Sequence, residues 1–248
     1  MNQNNDTFLS VIIPAYNEEK RIVPTLKSVT EYLSQKPFVS EVLVVDDGSS
    51  DKTSRVVDEF ARSPEGSRIR ILNGEPNHGK GYAVRRGMTS SRGEWRLFMD
   101  ADGSVSISEL DKFLKHGSEG FDVVIGSIAY PEQGKSVVEH AGIHRRVLGS
   151  ISKLLVRTVA VPGIYDTQRG FKLFSHKASE TIFSRQTIER FGFDIELLVI
   201  AQTHGLKIKE IPVTWENPAG STLGLKDYWH TLKELIRIMN NRSMRTYA

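Results

Sequence analysis

Cysteine is absent from all 248 residues. That excludes disulfide scaffolds, thiolate metal centres and cysteine nucleophiles. Also missing is any run of about 18 uncharged apolar residues, the length that crosses a bilayer; the best candidate, 147–161, is interrupted by Lys153 and Arg157. There is no large excess of one charge either. The 33 Lys and Arg stand against 30 Asp and Glu, leaving +3, which gives no reason to expect a nucleic-acid partner. The first eight residues carry neither the basic nor the apolar part of a signal peptide. These absences lead us to expect a cytoplasmic protein, peripheral at the cytoplasmic face of a membrane if it meets one. The sequons at Asn5 and Asn241 are then chance matches.

What is present is an ordinary globular composition, 39% hydrophobic and 25% charged. No internal repeat or linker-like stretch divides the chain, so we expect a single domain over 1–248. Short apolar runs at 9–13, 42–45, 69–72, 95–99 and 123–125 alternate with helical patterns at 21–33, 56–60, 79–88 and 108–114. Ser49, Ser50 and Asp51 are cap candidates for the second helix. Such alternation means βαβ units and a mostly parallel sheet, with strands buried on both faces. Beyond about residue 130 the rhythm changes. We expect a long helix at 137–159, a strand at 170–174, a helix at 194–204, a strand at 208–213, a polar loop at 216–224 and a last amphipathic helix at 226–240. The reading is an α/β domain with two functional halves, about 8–130 and 131–248.

In sheets of this kind ligands sit beyond the carboxyl ends of the strands, and the polar residues concentrate there. Pro14–Glu19 follows the first run, Asp46–Asp51 the second and Asp100–Gly103 the fourth. Three acidic loops converging on one edge exceed what turn chemistry requires. Alternation along an extended segment would put Asp100 and Asp102 on one side, with Ala101 turned away. Two hard carboxylates there suit Mg2+ or Mn2+, with phosphate oxygens and water completing the shell; the plainer reading is a helix cap.

Pro14-x-Tyr16-Asn17-Glu18, Asp46-Asp47-Gly48-Ser49 and Asp100-Ala101-Asp102 at these positions resemble the family 2 glycosyltransferases of GT-A fold, a Rossmann-like sheet flanked by helices. The likeness continues through Asn77-x-Gly79-Lys80-Gly81, Asp166-Thr167-Gln168-x-Gly170-Phe171-Lys172-Leu173-Phe174, Glu189-Arg190-x-x-Phe193-Asp194-x-Glu196-Leu197-Leu198 and Glu210-Ile211-x-Val213-x-Trp215. It is similar to the dolichyl-phosphate β-glucosyltransferase branch and its bacterial polyprenyl-phosphate relatives. The resemblance implies an inverting, metal-dependent transfer of glucose or mannose from a UDP- or GDP-hexose to a polyprenyl phosphate. It implies a donor site of Pro14, Tyr16, Glu18, Asp46, Asp47, Lys80, Asp100 and Ala101. Lys80 would face the donor phosphates, Asp102 would be the principal ligand of Mg2+ or Mn2+, and Asp100 would sit against the ribose or the metal. Asp166 and Arg169 would join Asp102 as catalytic residues, with acceptor contacts from Arg145, Arg146, Gln168 and Ser221. Two departures remove cations expected near phosphate: Ile128 and Thr222 stand where the family carries basic residues. Arg169 is the candidate to replace one of them. The rival readings are a soluble hydroxyl acceptor, with Asp166, Asp194 or Glu196 as base, and a nucleotide-binding protein without transfer activity.

Other features point to less. Gly74-x-x-x-x-Gly79-Lys80 nearly spells a P-loop, but Gly81 replaces the metal-binding hydroxyl and Pro76 lacks an N–H. His140 and His144 are one turn apart without the glutamate of a zinc motif. Trp95, Trp215 and Trp229 read as two core residues and one interfacial residue. The apolar sets of 143–159 and of 226–240 are flanked by cations. The latter comprises Trp229, Leu232, Leu235, Ile236 and Met239, beside Lys226, Lys233 and Arg237. Each set would either pack on the domain or rest on an anionic membrane surface.

Overall fold

The computed structural model describes residues 7–74, 76–128, 160–216 and 225–248, and in the last segment the side chains from 233 onward. The helix expected at 137–159, with His140, His144, Arg145 and Arg146, lies outside the described residues, as do Ser221 and Thr222.

Seven strands form one sheet in the order β3-β2-β1-β4-β6-β5-β7. They are β1 (Leu9–Ala15), β2 (Ser40–Asp47), β3 (Ile69–Gly74), β4 (Trp95–Met99), β5 (Val123–Ser127), β6 (Phe171–Ser175) and β7 (Ile208–Pro212). All pairings are parallel except those of β6, which runs antiparallel between β4 and β5. The expected mostly parallel sheet is therefore present, with one reversed strand that periodicity could not reveal. The order runs 3-2-1 and then jumps to 4, so a crevice opens between the carboxyl ends of β1 and β4, where such sheets bind ligands. β6 and β7, from the second half of the chain, complete a sheet begun by the first.

Alternation along the strands builds two cores. Leu9, Val11 and Ile13 of β1 face α1 (Ile22–Ser34), α2 (Thr53–Ala61) and α4 (Leu110–Ser118). Ile12 of β1 and Phe98 of β4 face α3 (Lys80–Ser90), α5 (His176–Phe183), α6 (Phe193–Thr203) and α7 (Leu225–Ser243). Helix α1 buries Ile22, Leu26, Val29 and Leu33, the four positions its spacing singles out. Helix α5 was not anticipated: its signal is Ser175, whose hydroxyl accepts the Ala178 N–H at 3.1 Å as an N-cap. From Phe193 to Ala201 helix α6 is buried on every side, as befits a core helix.

The final helix corrects the expected stripe. Leu235 and Ile238 are buried in the core and Met239 packs against it, whereas Ile236 is 56% exposed. Placing Ile236 on the apolar face and leaving out Ile238 misjudged which side is seated; the side chains of Trp229 and Leu232 lie outside the described residues. Beyond the helix, Tyr247 folds back into the core and its hydroxyl donates to Glu196 at 2.7 Å. The Asn241 amide donates to the hydroxyls of Thr187 and Tyr247. Among the described residues no helix is long and apolar enough to cross a membrane.

Candidate active site

The crevice holds a pocket of about 380 Å3. β1 and the turn after it contribute Pro14, Ala15, Tyr16 and Glu18; the end of β2 contributes Asp47. Asn77, Gly79, Lys80 and Ala83 come from the start of α3, Asp100, Ala101 and Asp102 from the turn after β4, and Arg190 and Phe191 from the segment before α6. Seven of the eight donor-side residues expected from the sequence, together with Asp102, meet here. Asp46 does not line the pocket: its carboxylate accepts the Ser49 N–H at 3.0 Å and the hydroxyls of Ser49 and Ser54. It shapes the loop after β2 instead.

Asp47 is buried and serves the opening of α3. Its carboxylate accepts the N–H groups of His78 (3.1 Å) and Gly79 (2.7 Å) and the Asn77 amide (2.8 Å). Two amides just before the helix are thus taken by an aspartate, which settles at the positive end of the helix dipole. Gly79 adopts φ +118, and a Cβ there would lie 2.6 Å from the Glu189 carbonyl oxygen. A Cβ on Gly81 would lie 2.7 Å from that of Ile188. The two glycines flanking Lys80 exist so that the 186–190 segment can press against the helix start.

Strand β4 ends at Met99, so strand alternation does not place the two aspartates. A turn does: Gly103 takes φ +66, Ala101 is buried with its carbonyl accepting Thr25 Oγ1 at 2.8 Å, and both carboxylates line the pocket. They have different partners. Asp100 pairs with Lys80 at 2.6 Å, whereas Asp102 accepts, among the described residues, only the Ser104 N–H, at 3.0 Å. Burial acts to lower the Lys80 pKa, but the charges of Asp100, Asp194 and Asp102 outweigh it and hold the ammonium above its ordinary range. Glu18 is bound by Arg21 at 2.6 Å. Its pKa is nevertheless raised, chiefly by burial, with repulsion from Asp102 and Asp100 adding to it against the pull of Arg21.

No cluster of three or more His, Asp or Glu side chains suited to an ion occurs among the described residues. The donor set still fits a hard divalent ion of the Mg2+ or Mn2+ kind, which commonly takes one or two carboxylates and leaves its other positions to water and phosphate. With one Asp100 oxygen on Lys80, Asp102 is the more available ligand.

The 166–170 stretch lies against Asp100: the Asp100 N–H donates to the Gly170 carbonyl at 3.0 Å, and a Cβ on Gly170 would lie 2.1 Å from the Asp100 carboxylate. We therefore expect Gly170→Ala to push Asp100 off Lys80, costing about 1–3 kcal/mol of stability by overpacking and at least about tenfold in activity. Melting curves and steady-state kinetics check it; an Ala variant as stable and active as the parent would refute the close approach. Asp166 accepts Arg169 Nε at 2.8 Å and the Ile128 N–H at 3.3 Å, while its own N–H donates to Glu210 at 2.7 Å. Arg169 thus reaches the carboxylate that also binds Ile128, beside the position where the family's cation is missing, and its guanidinium lies 5.0 Å from the Trp215 ring centre. Gln168 is exposed.

Two of the three base candidates are not available. Glu196 is buried and accepts Thr187 N–H and hydroxyl, Ile188 N–H and Tyr247 hydroxyl. Asp194 is buried against Lys172 at 2.5 Å; burial raises its pKa, partly offset by Lys172 and Lys80. Sequence reasoning missed Asn77, Arg190 and Phe191 as pocket residues. The Glu189-Arg190-x-x-Phe193 motif was the signal, but no periodicity says that it folds over the start of α3.

Residues 10–183 match the family model described as Glycosyl transferase family 2. A dolichyl-phosphate β-glucosyltransferase of Trichomonas vaginalis is 39% identical over 243 residues, covering 93% of this chain and 72% of its own. The dolichyl-phosphate β-glucosyltransferase of Homo sapiens is 38% identical over 226 residues, 87% of this chain and 69% of its own. Among solved structures, the Mycobacterium tuberculosis glucosyl-3-phosphoglycerate synthase in complex with Mn2+, UDP and glucosyl-3-phosphoglycerate aligns with a TM-score of 0.65 at 20% identity. That match covers 95% of this chain and 80% of the synthase. At such identity the likeness speaks for the fold, and the fold is the GT-A arrangement expected from the sequence. From the family model and these relatives together, the chain belongs to glycosyl transferase family 2.

Proposed function

We propose that this protein moves a glucosyl group from a nucleoside-diphosphate sugar to a polyprenyl monophosphate, with inversion at the anomeric carbon. An acceptor phosphate oxygen attacks C1, the bond from C1 to the diphosphate oxygen breaks, and the nucleoside diphosphate leaves with the electron pair. The names of the relatives support the sugar and the acceptor class. The observation that carries the reading is the state of the possible bases. Asp194 and Glu196 are buried and engaged, and Asp166 is tied to Arg169. A hydroxyl acceptor would need one of them free. A phosphate monoester, with a second pKa of about 6, is already an anion at pH 7 and needs none.

Pro14, Tyr16 and Glu18 hold the nucleoside side of the donor, with the first half of the chain as the donor half. Asp102 holds the divalent ion, which when bound supplies positive charge to the departing diphosphate. Asp166 orients the reacting groups, and Arg169 meets the acceptor phosphate. Gln168, Arg145, Arg146 and Ser221 form the rest of an acceptor half. Lys233, Ile236 and Arg237 are exposed on α7 and offer a cation–apolar–cation edge to an anionic lipid surface, in keeping with peripheral contact at the cytoplasmic face.

The test is transfer from radiolabelled UDP-glucose, GDP-glucose and GDP-mannose, with Mn2+, to polyprenyl phosphate in detergent. Lipid-linked glucose with the β configuration by NMR is expected. Transfer to soluble saccharides alone, retention of configuration, or mere donor hydrolysis would each overturn the reading.

A further inference from the structure

The charges lining the pocket are mostly committed. Glu18 belongs to Arg21, Asp47 to the opening of α3, and Asp100 to Lys80. Sequence reading assigned the donor phosphates to Lys80, but that ammonium is already neutralised at 2.6 Å. Two amides on the approach to α3 that could serve instead, those of His78 and Gly79, are occupied by Asp47. Of the two cations among the described lining residues, Lys80 and Arg190, only Arg190 has neither an ion pair nor a side-chain hydrogen bond within the described residues.

We propose that Arg190 binds the diphosphate of the sugar-nucleotide donor. The assignment rests on reading this pocket as a nucleotide-sugar site. An exposed guanidinium offers paired N–H donors that match phosphate oxygens two at a time. Its setting is unusually fixed for a residue between two helices. Its Cγ lies 3.0 Å from where a Cβ on Gly79 would stand, so its stem packs over the start of α3. The neighbouring Glu189 carbonyl accepts the Tyr82 N–H at 3.0 Å, and the Gln186 amide bridges the Gly81 and Ile188 carbonyls at 2.9 and 2.8 Å. From the other side Glu196, itself bonded by Tyr247, takes the N–H groups of Thr187 and Ile188. A cation on so well-anchored a segment loses little freedom when it meets its anion. It also supplies positive charge to a pocket whose only other uncommitted charge, among the described lining residues, is the Asp102 carboxylate.

The experiment measures dissociation constants of the full chain, with Mn2+, for nucleoside diphosphate, monophosphate and nucleoside in the uracil and guanine series. Calorimetry serves the tight ligands and ligand-observed NMR the weak ones. Arg190→Gln should weaken diphosphate binding about 10- to 100-fold, the scale of a charge-assisted contact, and leave the nucleoside within about twofold. Arg190→Lys should recover part of the loss. Melting curves should be unchanged, because the side chain is exposed. Equal losses for diphosphate and nucleoside would make Arg190 a structural residue and overturn the assignment, as would no loss at all. If the parent protein binds no nucleoside diphosphate, the nucleotide-sugar reading itself fails. If the parent binds and Arg190→Gln binds equally well, only the arginine assignment fails.

Discussion

Replacing Asp102 by asparagine should leave the fold intact and remove most of the proposed transfer activity. Among the described residues this side chain's hydrogen bond is the one accepted from Ser104 N–H at 3.0 Å, which an asparagine oxygen can still accept. The residue is only partly buried, so unfolding free energy should shift by less than about 1 kcal/mol. What disappears is the carboxylate charge. A ligand to a divalent ion that stabilises a leaving diphosphate contributes several kcal/mol to the transition state. At about 1.4 kcal/mol per factor of ten, a loss of about 3 kcal/mol slows transfer roughly 10²-fold or more. Donor binding should lose its dependence on Mn2+ at the same time. An Asn variant that transfers sugar at the parental rate, or whose donor affinity still rises with Mn2+, would remove Asp102 from the metal site.

Deleting residues 225–248 should unfold the protein outright. The deletion takes Leu235, Ile238 and Tyr247 out of the core. Fully burying each such side chain is worth about 1.5–3 kcal/mol, so together they approach the 5–15 kcal/mol that typically separates folded from unfolded domains. It also strips Glu196 of the Tyr247 hydroxyl, Thr187 of the Asn241 amide and the Gly192 N–H of Glu234, whose bond measures 2.8 Å. Glu196 and Thr187 keep their bonds to each other, but the buried Gly192 N–H is left without this partner, at a cost of about 1–3 kcal/mol. We expect an aggregating chain without a cooperative melt. Lys233→Glu with Arg237→Glu touches only exposed charges and should leave the melting curve within about 0.5 kcal/mol. Sedimentation with anionic liposomes at low salt then reads the membrane contact of this edge apart from the seating of the helix. A truncated chain that melts like the parent would refute the packing of α7.

These two variants separate what was readable in the chain from what was not. The strands of the first half announced themselves as short apolar runs, buried on both faces except at the edge strand β3, and the helices between them by spacing, because burial acts on each local segment in the same way wherever the segment ends up. The acidic loops were readable for a related reason: in a parallel sheet every strand's carboxyl end points to one edge, which groups Pro14, Asp47 and Asp100 from chain direction alone. Asp102 stands in the third of those loops; the family motifs added Lys80 to the group by likeness.

Partners were another matter, since they depend on segments far apart in sequence. Nothing local says that Lys80 is neutralised by Asp100 or that Asp47 caps the opening of α3. Nor could spacing show that β6 enters the sheet reversed, that Gly170 must lack a side chain so that Asp100 can approach, or that Ile238 rather than Ile236 faces the core. The sequence by itself determined the strand–helix alternation, the shared edge and the kinds of charge gathered there, because these follow from local hydrophobic pattern and chain direction. Only the tertiary structure decided which of those charges are already satisfied by one another, because pairing is set by distances across the fold; it left Asp102 and Arg190 as the two described charges in the pocket still open to a ligand.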